Sequence, residues 1–228
     1  YEQGNMHLAP EKATKVDLSY NFSSQAVNLF VNGYLSHTTD YISQMTKMDN
    51  ERLITTYANA DSDIKRGIEV SLKVTPAKWM NFSVGANTYY VTTEGVFEGM
   101  HIDNQGWTNN SNLLLDFVPW KGGDLQLQYF ITTPQYYPQL TTSLTHQMNM
   151  GIKQRFMKGA MTASILVTDV LNTAKWDVWS NNSLFNLKNS STNKSRMIWL
   201  GVSYNFNSFK QKSNQKAETD RSLIKLGL

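Results

Sequence analysis

Cysteine is absent from this 228-residue chain, so neither a disulfide framework nor a thiolate metal site is open to it. Long apolar runs are missing as well. No stretch approaches the roughly eighteen consecutive apolar residues that a spanning helix needs. Charge is sparse, at 17% of residues, and the mean hydropathy of −0.43 looks too polar for a membrane. That last inference fails for one architecture. A barrel with a wet interior averages a greasy outer face against a polar inner one.

Chemistry-bearing patterns are equally scarce. His7, His37, His101 and His146 share no ligand spacing, and no His-Glu-x-x-His stretch occurs. No phosphate-binding Gly-x-x-x-x-Gly-Lys-Ser/Thr loop and no Gly-x-Ser-x-Gly elbow is present. Asp61 with Asp63, and Asp49 with Glu51, read as solvated loop acids. Ser143 and His146 read as loop neighbours. The expectation is a protein that is not an enzyme and carries no metal or cofactor.

What the chain has is alternation. In Ile198–Phe206 the residues Ile198, Leu200, Val202, Tyr204 and Phe206 are large and apolar, and from Gly201 on the intervening positions are small or polar. That is a strand with one apolar and one wet face. It closes on Tyr204 and Phe206, one pleat apart, and aromatic pairs of this kind settle at membrane–water boundaries.

The same grammar recurs, giving nine strand candidates. They are Thr14–Phe22, Val27 to about Met48, Leu53–Val74, a strand carrying Met80–Tyr90, one around Asn112–Phe117, Leu125–Ile131, Gln147–Phe156, Met161–Thr168 and the closing strand. Tight turns at Ser23–Gln25, Thr75–Lys78, Pro119–Gly123 and Lys158–Gly159 alternate with longer polar connections at Glu94–Gly106, Pro134–Gln139 and Asn172–Lys194. Segregation of short turns from long loops is the asymmetry of bacterial outer-membrane barrels. Aromatics flank both kinds of connection, as two interfacial belts would require. A soluble β-sandwich or secreted binding module also alternates, but its turns do not segregate by length.

The expected fold class is therefore all-β, an antiparallel transmembrane β-barrel, over residues 1–206. An odd strand count leaves two edges that hydrocarbon does not tolerate, so the chain is expected to be the C-terminal section of a larger barrel. Residues 207–228 hold five cations against two anions, the whole of the net charge of +3, and read as a flexible basic tail in the periplasm. The chain opens on Tyr1 with no apolar leader. The expectation is that a leader was removed or that more chain precedes.

A resemblance supports this. Gln3-Gly4-Asn5 with Leu8, Pro10 and Glu11, then Thr55–Asn59, Gly67–Val70, Lys78-Trp79, Val167–Thr173 and the closing Leu200–Phe206 resemble, in order, the barrel motifs of TonB-dependent outer-membrane receptors. The nearest branch is the outer-membrane β-barrel family common in Bacteroidetes. Met6 stands where the opening motif often has proline, and Trp199 where the closing one is often polar. The resemblance implies a barrel of about 22 strands, of which these are the last nine or so, with a plug domain and TonB-binding segment upstream. It implies a Gram-negative outer-membrane location, the lipid bilayer as partner, and import of a bulky solute such as a siderophore, vitamin, glycan or peptide. The TonB complex would be engaged only through upstream parts. Gly201, Tyr204 and Phe206 match the signal read by the barrel assembly machinery. Ligand contacts are expected from the long-loop aromatics Trp107, Tyr136, Tyr137, Trp176 and Trp179. The wall itself is expected to be lined by Lys15, Asp17, Asn28, Asn32, Glu69, Lys73, Asn81, Asn87, Asp116, Gln126, Gln128, Gln147, Asn149, Lys153 and Arg155. A plug-less porin or an adhesin barrel is the alternative.

Overall fold

Period-two alternation over most of the chain produces one antiparallel meander. The computed structural model describes residues 1–49, 52–192 and 194–206. In chain order the strands are β1 (Glu2–Gln3), β2 (Lys12–Ser23), β3 (Val27–Asp49), β4 (Arg52–Ala77), β5 (Met80–Phe97), β6 (Met100–Phe117), β7 (Gly123–Thr132), β8 (Thr141–Thr142), β9 (Thr145–Phe156), β10 (Met161–Thr168), β11 (Lys175–Asn181), β12 (Asn186–Thr192) and β13 (Met197–Tyr204). Nine of them form one sheet in the order β2-β3-β4-β5-β6-β7-β9-β10-β13, and these are the nine strands expected from sequence. β1 adds in parallel to the far end of β4, with Glu2 opposite Thr55. The short β8 joins β11 and β12 in a separate three-stranded sheet.

Register preserves the two faces across the whole width. Val27, Val74, Phe82, Leu115, Leu127, Met150, Val167 and Ile198 make one unbroken cross-strand row. A row on the opposite face, five residues further up, runs Ser19, Asn32, Glu69, Asn87, Asn110, Thr132 and Thr145. A one-residue slip anywhere would exchange these faces. Among the described residues nothing covers the apolar face: Leu18 is 81% exposed and Leu200 77%. Lipid is the solvent such a face requires.

The sheet is open. Among the described residues β2 pairs only with β3, β13 only with β10, and the two are not joined to each other. Each unpaired backbone group in hydrocarbon costs several kcal/mol, so both edges call for partner strands.

Strand length exceeds the membrane. β3 has 23 residues and β4 has 26, roughly 75–85 Å at 3.3 Å per residue, against a hydrocarbon core of roughly 30 Å. The far halves of β3–β6 therefore stand in water. There the sequence reading needs correction. Glu94–Gly106 is not a loop but the continuous tip of the β5–β6 hairpin, closed by Glu98 and Gly99 at φ 50° and 77°. Two left-handed residues are what a tight hairpin turn demands. The strand expected near Asn112 accordingly begins at Met100. The Asn172–Lys194 connection likewise contains the β11–β12 hairpin. With water on the outside, these segments lose the apolar–polar contrast that marked the other strands. Asn50 and Glu51, at the expected β3–β4 turn, and the tail 207–228 lie outside the described residues.

Candidate functional site

The polar wall is largely self-satisfied. Asp17 accepts from Asn32 Nδ2 at 3.1 Å and sits 3.2 Å from Lys15 Nζ. Asp116 accepts from Gln126, and Arg155 pairs with Asp124 at 2.9 Å. The more specific geometry lies at the long-hairpin end, where two elements fold onto the wall.

The first is the segment 133–144. Thr108 Oγ1 donates to the Pro134 carbonyl at 2.9 Å, and the Tyr89 hydroxyl donates to Gln135 Oε1 at 3.3 Å. Asn104 Nδ2 donates to the Tyr137 carbonyl at 2.6 Å. The Tyr136 ring lies directly on Gly106, where a Cβ would come within 2.1 Å of it. Gln139, buried, spans to β3 and bonds the backbone of Thr46 twice.

The second element is the β11–β12 cap. It is tied to segment 133–144 through β8, with Val178 opposite Thr142. Leu184 packs against a buried cluster of Met45, Ala60, Phe97, Met100 and Ile102. Lys47 bonds Glu98 at 2.6 Å, and that carboxylate raises the lysine pKa above its ordinary value.

Both roots of the cap converge on Asp169. Its carboxylate accepts from Thr173 N–H at 2.9 Å, Ala174 N–H at 3.2 Å and the Ser195 hydroxyl. Its own N–H donates to Asn149 Oδ1 at 3.0 Å. Asp169 is completely buried and sits at φ 46°. Burial opposes its ionisation, but the Ser195 hydroxyl, the two N–H groups and nearby Arg196 outweigh that and hold its pKa below the ordinary value.

The long-loop aromatics do not share one site. Trp107 is 65% exposed on the apolar face, its ring 5.5 Å from Tyr90, a girdle position. Tyr136 is on the inner wall against Gly106, whereas Tyr137 is half exposed. Trp176 lines a groove with Phe130, Thr132, Gln147 and Lys175. Trp179 lines another with Ile102, Asn104, Gln139 and Thr141. Of the closing-strand residues, Gly201 faces Ser164, and Tyr204 and Phe206 stack edge-on at 4.8 Å. Gln139, Asn104 and Asp169 were not singled out by sequence as site residues. Asp169 did fall inside the Val167–Thr173 motif, and its position before Asn172-Thr173 was the available signal.

An apolar outer face, a polar inner one, short turns at one end and a tied cap at the other match one known group. The profile of the outer membrane protein beta-barrel family matches residues 1–204. The chain belongs to that family. No curated protein and no solved structure matches it. As an outer-membrane β-barrel protein it resides in the outer membrane, and its lipid-facing and lumen-facing rows are assigned accordingly. In such barrels the short turns face the periplasm and the longer loops the exterior, which puts the cap and segment 133–144 at the outer mouth.

Proposed function

We propose that these nine strands are the closing part of a TonB-dependent outer-membrane receptor that imports a bulky solute, and that the protein is a transporter and not an enzyme. The observation that carries the reading is the open sheet. Among the described residues β2 and β13 each present an unpaired edge, and further strands must cover both in a bilayer. The motif order from Gln3-Gly4-Asn5 to Phe206 supports a receptor barrel over a small porin. The polar inner wall, with Glu69 and Lys73 exposed on it, supports a lumen that holds water or a plug. Solute contacts would come from the mouth, where Trp176 and Trp179 border separate grooves. The barrel assembly machinery would engage β13, with Gly201, Tyr204 and Phe206 as its signal.

An immunoblot of outer-membrane fractions with an antibody against residues 210–228 tests this. A band several times heavier than the 26.0 kDa of this chain is the expected result. A band near that mass in the same fraction overturns it in favour of a plug-less barrel completed by other copies.

A further inference from the structure

The outer interface of the barrel can be located by counting. Tyr90 stands ten residues above Met80, the turn end of β5, and Trp107 ten residues above Phe117, the turn end of β6. A tilted spanning strand uses roughly 9–11 residues, so this aromatic pair marks the outer headgroup level. The same count on the three preceding strands reaches residues of a different kind. Arg66 lies eleven residues above Ala77 on β4, His37 ten above Val27 on β3, and Lys12 eleven above Ser23 on β2.

All three belong to the lipid-facing register. Arg66 is paired with Leu35 and Tyr90, His37 with Thr14 and Ile64, and Lys12 with Thr39, in rows continuous with Val16, Ile68 and Leu18. Arg66 and His37 are diagonal neighbours across β4 and β3, and His37 and Lys12 are diagonal neighbours across β3 and β2. Each diagonal step is roughly 7–8 Å. The three residues therefore make a line that follows the membrane plane. Each is exposed, and among the described residues none has a side-chain hydrogen bond or ion pair. The nearest outward acids on β5 and β6, Glu94 and Asp103, stand four residues further up, beyond that level.

Along this arc Lys12, His37 and Arg66 take the place of the aromatic girdle at the height of lipid phosphates, and none is ion-paired among the described residues; the adjacent acid, Glu11, accepts from the Ile42 N–H on β3. We propose that Lys12, His37 and Arg66 form a binding site for the phosphate groups of an outer-leaflet lipid. Arg66 supplies the bidentate fork that fits a phosphate, Lys12 a second fixed charge, and His37 a hydrogen bond between them. The site rests on membership of the outer-membrane family and on register, not on the transport reading above.

The test uses the protein purified from outer membranes in detergent, with native mass spectrometry counting retained lipid. The probe is a bisphosphorylated lipid A, compared with the same lipid after dephosphorylation. Wild-type protein is expected to retain the phosphorylated form, and the K12Q/H37Q/R66Q variant to bind it roughly tenfold or more weakly. Lys73→Gln removes a charge from the inner face and is expected to leave retention unchanged. Arg66→Gln alone provides the same reading, at smaller amplitude, if the triple variant does not fold. Equal retention by wild type and variants, or equal retention of the dephosphorylated lipid, overturns the proposal. So does displacement of the lipid by millimolar inorganic phosphate, which would make this a site for free anions.

Discussion

The side-chain amide of Gln139 hydrogen-bonds both backbone groups of Thr46, accepting from its N–H at 2.6 Å and donating to its carbonyl at 3.0 Å. Thr46 lies beyond the reach of β2, whose pairing with β3 ends at Thr39. One glutamine thus does for β3 what a neighbouring strand does lower down, and it fastens segment 133–144 to the opposite side of the mouth.

Removing that amide should loosen the mouth without unfolding the barrel. Gln139→Ala leaves two backbone groups without a protein partner, worth roughly 1–3 kcal/mol locally. Hydrogen exchange at Thr46 and protease cleavage within 133–144 should both accelerate, while the barrel's denaturation midpoint barely moves. Unchanged exchange at Thr46 would show that other contacts hold the segment.

The contact between Tyr136 and Gly106 gives a paired prediction. Gly106→Ala places a methyl within 2.1 Å of the ring, and overpacking of this kind costs roughly 1–3 kcal/mol. Tyr136→Ala in the same chain should remove most of that penalty, because the clashing atoms are gone. Additive effects of the two changes in urea unfolding would mean that the ring does not rest there.

Asp169 predicts an acid limb. Its pKa is lowered in the folded protein, so its stabilisation is fully present above the ordinary aspartate value of 3.8 and is lost as pH falls through the folded value. The tether of the β11–β12 cap should therefore weaken only in strong acid. Asp169→Asn should weaken it at neutral pH, by roughly 1–3 kcal/mol, and flatten the pH dependence below 3.8. Cap protection measured by hydrogen exchange at neutral and acid pH checks this. A variant as acid-sensitive as wild type would assign the limb to another carboxylate.

Adjacent residues on β4 separate the two faces. Leu72 points to lipid five residues above the turn end at Ala77, and Ser71 points to the lumen. Leu72→Arg should destabilise the barrel by roughly 2–4 kcal/mol, the cost of a charge near the bilayer midplane. Ser71→Arg should change stability by less than about 1 kcal/mol. Unfolding from lipid vesicles measures both. The reverse ranking would mean that the register places the faces the other way round.

The nine membrane strands were legible because lipid outside and water inside impose opposite demands on successive residues. Val16, Leu18, Tyr20 and Phe22 against Asp17, Ser19 and Asn21 show that alternation over a whole strand. Their lower turns were legible because short turns need particular residues, as at Thr75–Lys78. Above the membrane the contrast vanishes, so the tip of the β5–β6 hairpin looked like a loop although Glu98-Gly99 is a competent turn. The β11–β12 hairpin was hidden for the same reason.

By itself, then, the sequence determined which face of each spanning strand meets lipid, the nine strands of the main meander, and the family, since each depends on residues close together in the chain. Only the tertiary structure decided what meets what at the mouth. Gln139 on Thr46, Tyr136 on Gly106, Ser195 on Asp169, and the alignment of Lys12, His37 and Arg66 at one level all depend on cross-strand register. Register is set by the summed fit of whole strands, and no local pattern records where a side chain far along the chain will come to rest.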